Sequence, residues 1–151
     1  MRRLCADTGF MFALYDDADS RNETAQKYFV NYFEKGDGIL VLPWPVMYES
    51  LNTRFASNTK GIKQLERDFR ILNGTGRLEL QDDAAYRDRA LAACLEEPKR
   101  NPKMVRALSL VDRTLREMLL DLNLDLTGVL TNDPAAFADI CRKARKEMIQ
   151  L

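Results

Sequence analysis

Apolar and polar positions along the chain switch repeatedly between a period of two and a period near 3.6, the signals of strand and helix. Four short blocks read as strands: residues 3 to 7, Gly38 to Leu42, Arg77 to Gln81 and Leu124 to Thr131. Ile39-Leu40-Val41-Leu42 is an unbroken apolar run, as expected of a strand buried on both faces. Arg77-Leu78-Glu79-Leu80-Gln81 alternates, as a half-exposed edge strand does. Helical spacing fills the intervals. Phe10 to Tyr15 reads as a short buried helix. Ala25, Tyr28, Phe29, Tyr32 and Phe33 form a stripe behind Ser20-Arg21-Asn22-Glu23, a Ser-x-x-Glu capping box. Trp44, Met47, Tyr48, Leu51 and Phe55 form another, with Pro45 in its first turn. Ile62, Leu65, Phe69 and Leu72 form a third, stopped by Asn73-Gly74-Thr75-Gly76. Asp82 or Asp83 caps a helix reaching about Leu95. A further helix runs from Ser109 to Asn123, burying Val111, Leu115, Met118, Leu119 and Leu122. A last one runs from Pro134 to Leu151, burying Phe137, Ile140, Cys141 and Ile149.

Strands alternating with helices predict an α/β fold in which a parallel sheet is covered on both faces. At 151 residues, positions 1–151 are expected to form one domain with a sizeable core. No apolar run approaches the roughly 20 residues that span a bilayer. The start, Met1-Arg2-Arg3-Leu4-Cys5, has no apolar signal-peptide core, so a cytoplasmic location is expected. Cys5, Cys94 and Cys141 stand far apart and in no C-x-x-C pair, which suits reduced, mostly buried thiols.

Composition narrows the chemistry further. The chain has no histidine. That excludes histidine acid–base catalysis, the Ser-His-Asp arrangement and nearly every catalytic zinc site. With 23 basic and 23 acidic side chains the net charge is zero, so any nucleic-acid contact must rest on a local patch. One such patch is the interval from Glu97 to Leu108, read as a loop, where Arg100, Lys103 and Arg106 are candidates for phosphate contact.

Any enzymatic chemistry must then come from carboxylates. Asp7 and Asp133 each close a predicted strand, and in an open α/β sheet ligands bind beyond the carboxyl ends of the strands. Asp133 before Pro134 is also a good helix cap, the commoner role for such a pair. Glu49 lies one position off the apolar stripe of the helix after the second strand. Asp112 ends Ser109-Leu110-Val111-Asp112, another capping-box pattern, directly after the basic interval. Four acids gathered at one sheet edge repel one another unless a cation neutralises them. Oxygen-only ligands suit Mg²⁺ or Mn²⁺, and such an ion supports phosphodiester hydrolysis without histidine.

These residues, in this order, resemble a PIN-domain ribonuclease, and most of all the VapC-type toxins of toxin–antitoxin pairs. The resemblance rests on Asp7-Thr8, on Glu49 in Pro45-Val46-Met47-Tyr48-Glu49, on Ser109-Leu110-Val111-Asp112, and on Thr131-Asn132-Asp133-Pro134-Ala135-Ala136-Phe137. It implies a PIN-like three-layer α/β/α sandwich with a central, mostly parallel sheet of four to five strands. It implies a metal-dependent endoribonuclease acting on tRNA, rRNA or mRNA, with Asp7, Glu49, Asp112 and Asp133 as the acidic quartet. Asp7, Asp112 and Asp133 would bind the metal, with Thr8 and Thr131 in support. It also implies an antitoxin partner and a homodimer.

Two other readings compete. A PIN-like domain can bind RNA or protein without cutting. A haloacid-dehalogenase-type phosphatase would need a second Asp two residues after Asp7, where Gly9 stands, and a phospho-receiver would need a late strand-end lysine that has no counterpart.

Overall fold

The computed structural model describes residues 1–100 and 108–151, the side chains of 98–100 excepted. Five strands, β1 (Arg3–Ala6), β2 (Ile39–Pro43), β3 (Leu78–Gln81), β4 (Gly128–Thr131) and β5 (Glu147–Gln150), form one all-parallel sheet in the order β3-β2-β1-β4-β5. The chain builds outward from β1 to β2 and β3, then returns to the other side of β1 with β4. The order therefore reverses between β1 and β4, and the crevice beyond their carboxyl ends is where such sheets bind ligands.

Burial explains the middle three strands. Every residue of β2 and β4 is buried, as are Leu4, Cys5 and Ala6 of β1. Strands apolar on both faces need cover on both, and the helices supply it. These are α1 (Thr8–Tyr15), α2 (Asn22–Phe29), α3 (Trp44–Ser50), α4 (Thr53–Ala56), α5 (Thr59–Gly74), α6 (Ala84–Arg100), α7 (Leu110–Leu120) and α8 (Pro134–Ala144). Phe10, Leu14, Leu72, Leu115, Met118, Leu119 and Phe137 are among their fully buried side chains, joined by Phe33 from the π-helical turn Val30–Glu34 that follows α2. The result is the expected PIN-like α/β/α sandwich, with β3 at an edge as its alternating pattern predicts.

Several boundaries differ from the periodicity. The closing helix stops at Ala144, because Arg145 takes up a left-handed conformation (φ 55°), and Glu147–Gln150 then pairs with β4 as a fifth strand. The fourth strand begins at Gly128. Leu122–Leu124 before it forms a 3₁₀ turn, closed by Asp125, also left-handed (φ 51°). The stripe from Trp44 to Phe55 belongs to two helices, since the Asn52 side chain accepts from Phe55 N at 3.0 Å and starts a new one. On α3 the buried residues are Val46, Met47 and Ser50, while Trp44 and Tyr48 are 38% and 76% exposed. No capping box forms at Ser20. The helix starts at Asn22, and Asp19 instead binds the backbone and guanidinium of Arg21. α6 continues past Leu95 to Arg100, where Glu97 forms an ion pair with the buried Arg113 of α7.

Candidate active site

Asp7 follows the central strand and stands at the reversal of strand order. Its backbone N–H extends the β1–β4 ladder by donating to Leu130 O at 3.1 Å. Its side chain caps α1, with Oδ1 accepting from Phe10 N at 2.7 Å. The other oxygen accepts from the Thr131 hydroxyl at 2.5 Å. Thr131 Oγ1 in turn accepts from Asp133 N at 2.8 Å. One hydroxyl at the end of β4 thus ties together the acids that follow β1 and β4.

Asp7 is only 5% exposed. Burial pushes its carboxyl up to about 6; the hydrogen bonds from Thr131 and Phe10 oppose the rise, and the charges of Asp112 and Asp133 add to it. Glu49 is also held above the ordinary carboxylate range, first by desolvation and then by the Asp112 charge, with the neighbouring Thr8 hydroxyl pulling the other way. That hydroxyl is buried and makes no well-formed hydrogen bond of its own. All four sequence-predicted carboxylates therefore lie within electrostatic reach of at least one other: Asp7 with Asp112 and Asp133, and Glu49 with Asp112.

The capping explanations divide. Asp112 does form the box with Ser109: Ser109 Oγ accepts from Asp112 N at 3.0 Å, and Asp112 Oδ2 accepts from Ser109 N at 3.3 Å. Asp133 occupies the cap position of α8 but its carboxylate makes no capping hydrogen bond to that helix. Capping therefore accounts for one oxygen of Asp112 and not for the Asp133 side chain.

Other residues of the site escape any local sequence pattern. Arg116 of α7 donates to both oxygens of Asp139 on α8, at 2.7 and 2.8 Å, and to Ala136 O at 2.8 Å. The pair holds Asp139 down at about 2, above all through those hydrogen bonds, and fixes the helix bearing Asp112 against the one that follows Asp133. Gly9 allows the loop after β4 to approach α1, since a Cβ there would lie 2.0 Å from Asn132 Oδ1. Arg21 feels the Asp7 charge, although its guanidinium is raised first by its hydrogen bonds to Asp19. Lys103 and Arg106 lie outside the described residues, as does the side chain of Arg100.

The donor set suits a hard divalent ion: oxygen only and rich in carboxylate, with the carboxyls of Asp7 and Glu49 both raised, first by desolvation and then by neighbouring acids. In their present rotamers no three acidic or cysteine side chains among the described residues are close enough to ligate one ion together. Glu49 is exposed and Asp112 and Asp133 are half-buried, whereas Asp7 is pinned on both oxygens.

Fold and edge together place the molecule in the class of PIN-like α/β/α sandwiches. Among solved structures it is similar to VapC20 of Mycobacterium tuberculosis, a sarcin–ricin loop cleaving toxin, with a TM-score of 0.63 over 90% of this chain and 94% of that one. Sequence identity between the two is 16%, so the likeness is one of fold. No known family profile matches the chain, and no curated protein matches it in sequence.

Proposed function

We propose that the chain, as one PIN-like domain over residues 1–151, is an Mg²⁺- or Mn²⁺-dependent endoribonuclease. The observation that carries this reading is the mutual repulsion of Asp7, Glu49, Asp112 and Asp133 at the switch point of a PIN-like sheet. Among the described residues Asp7, Glu49 and Asp112 form no ion pair that would relieve it.

In this reading Asp7, Asp112 and Asp133 hold the ion. Once bound, it supplies neutralising charge and Lewis acidity for hydrolysis of a phosphodiester. Glu49, the most exposed of the four, orients the attacking water or adds a ligand. Thr131 and Phe10 N keep the Asp7 carboxylate in one orientation, so that the ionised form is ready without a rotamer search. Thr8 places its hydroxyl against Glu49. By the same resemblance the substrate is a structured RNA, the molecule works in the cytoplasm as a homodimer, and an antitoxin silences it.

The test is cleavage of tRNA and rRNA by the purified chain with Mn²⁺, Mg²⁺ or chelator. Asp7→Asn and Asp112→Asn are each expected to lower the rate by a factor of about 10³ or more while the circular dichroism spectrum stays native, since each removes a charged ligand of the ion. Mn²⁺ should also raise the melting temperature of the wild-type chain, and Asp7→Asn should lose that rise. Full cleavage in chelator would sink the metal assignment. A stable chain that cuts no RNA and shows no ion-dependent melting shift would instead be the non-catalytic binding module.

A further inference from the structure

A cleft of about 620 Å³ opens between the end of α1 and α4, lined by Phe12, Asp16, Asn52, Arg54, Phe55 and Asn58 among others. Two of its lining residues lead toward the carboxylate edge. Asn52 Nδ2 donates to Glu49 O at 3.1 Å, so one wall is continuous with the helix bearing Glu49. On the other side Asp19 lines the cleft and binds Arg21, the guanidinium that feels Asp7.

Most of the wall is already committed to structure. Asn52 Oδ1 caps α4 and Asn58 Oδ1 caps α5. Both oxygens of Asp19 accept from Arg21. The Phe55 ring sits edge-on to Tyr15 in the core. Three groups are left facing the space. Phe12 is half-buried, the one residue between Phe10 and Tyr15 that is not buried in the core. Arg54 is exposed, and its guanidinium has no partner among the described residues. Asp16 has Oδ1 held by Ala18 N at 3.0 Å, which orients the carboxylate and leaves Oδ2 without a hydrogen bond among the described residues.

An aromatic face, a free guanidinium and an oriented carboxylate match three parts of one nucleotide. Aromatic rings stack on any base, guanidinium binds phosphate, and a carboxylate accepts from exocyclic amino groups. The volume falls in the usual range of about 300–1,000 Å³ for small-molecule sites. We propose that this cleft seats one unpaired nucleotide of the RNA next to the scissile phosphate: Phe12 stacks on its base, Asp16 accepts from its amino group, and Arg54 binds its phosphate. The inference rests on the ribonuclease reading and adds to it a preference for adenosine, cytidine or guanosine over uridine at that position, because uracil offers Asp16 only its ring N3–H, flanked by two carbonyl oxygens that repel a carboxylate, and no exocyclic amino group.

The test is equilibrium binding of fluorescently labelled short homopolymeric RNAs of adenosine, cytidine and uridine to the full chain, alongside cleavage of a mixed-sequence RNA. The wild-type chain should bind the adenosine and cytidine oligomers about fivefold or more tighter than uridine, and Asp16→Asn should erase the difference. Phe12→Leu, which keeps an apolar side chain but removes the stacking face, and Arg54→Ala should each weaken all three about tenfold. If the mixed RNA is cut but the three oligomers bind alike, or Phe12→Leu and Arg54→Ala leave binding unchanged, the cleft is overturned and the ribonuclease reading stands. If no RNA is bound or cut, both fall. If the two variants abolish binding of a protein partner while RNA binding survives, the cleft is a protein-docking site and the nucleotide assignment is wrong.

Discussion

The two ends of the sheet treat charge in opposite ways. At the amino end, basic residues meet acids across strands: Arg3 of β1 reaches over β2 to Glu79 of β3, and Arg2 lies 3.7 Å from Glu147 at the start of β5. Arg2 also covers the Tyr32 ring, 5.4 Å from its centroid. At the carboxyl end Asp7, Glu49 and Asp112 face other acids, and no ion pair among the described residues offsets them. The same small fold thus pairs its charges where only stability is served and leaves them opposed at the switch point. Destabilising groups that persist beside a crevice are a mark of function. The contrast also explains Arg2 and Arg3, polar residues at the start of an otherwise apolar central strand: they snorkel to the sheet end and find acids there.

The largest expected effect comes from removing the buried charge at the acidic end. Asp7 keeps its proton up to about pH 6 in the folded chain against 3.8 unfolded. The stability supported by its neutral form is complete below pH 3.8 and is lost as the pH rises through 6. Ionised Asp7 then costs about 3 kcal/mol at neutral pH in the absence of metal. Asp7→Asn is neutral at every pH and keeps an oxygen for Phe10 N. It should stabilise the metal-free chain by about 1–3 kcal/mol at pH 7, with the gain shrinking toward zero near pH 4. Urea unfolding in chelator at both pH values measures this. An Asn variant less stable than wild type at pH 7 would mean that the acidic end is not under electrostatic strain.

Thr131→Val should act in the reverse direction. Valine fits the same buried volume but removes the donor to Asp7 Oδ2 and the acceptor for Asp133 N. Losing a hydrogen bond to a charged group costs about 1.5–3 kcal/mol, and the expected loss of stability at pH 7 is about 2 kcal/mol. Because that bond lowers the Asp7 carboxyl, its titration should move above about 6. Thr131→Ser restores the hydroxyl and should recover most of both effects. A Val variant with unchanged stability and titration would show that the hydroxyl is not what holds Asp7.

How far this contrast could be read from the residues depended on its range along the chain. Asp7 and Asp133 were legible because each ends a buried strand, and the Ser109–Asp112 box because it spans one helical turn. β2 was legible because all its residues are apolar. β5 was not: Glu147–Gln150 is a short edge strand, its first and last residues exposed, that follows a helix without glycine or proline. Its pairing depends on the left-handed turn at Arg145. The Thr131–Asp7 bond joins residues 124 positions apart, and the Arg116–Asp139 clamp joins two different helices. No periodicity carries such pairs; only the order of strands brings them together. The cleft was invisible for a related reason: Phe12 lies within an apolar run and reads as core until the packing of α1 turns it outward.

The smallest effect is expected at the paired end, and its sign sharpens the comparison. The Arg3 side chain is 24% exposed and that of Glu79 34%, so water still screens the pair and its removal leaves Glu79 partly hydrated. Arg3→Met keeps the apolar stem against the sheet and deletes only the charge. Partly exposed pairs contribute little, and the expected loss is about 1 kcal/mol at low ionic strength, less at high salt. Neutralising a charge should therefore destabilise the fold at one end of the sheet and stabilise it at the other, in the same chain and at the same pH. Denaturant melts of Arg3→Met and Asp7→Asn side by side, at low and high salt, decide the matter. If Arg3→Met also stabilised the chain, the amino-end ion pair would be no better matched than the acidic cluster. The difference between the two ends would then carry no information about function.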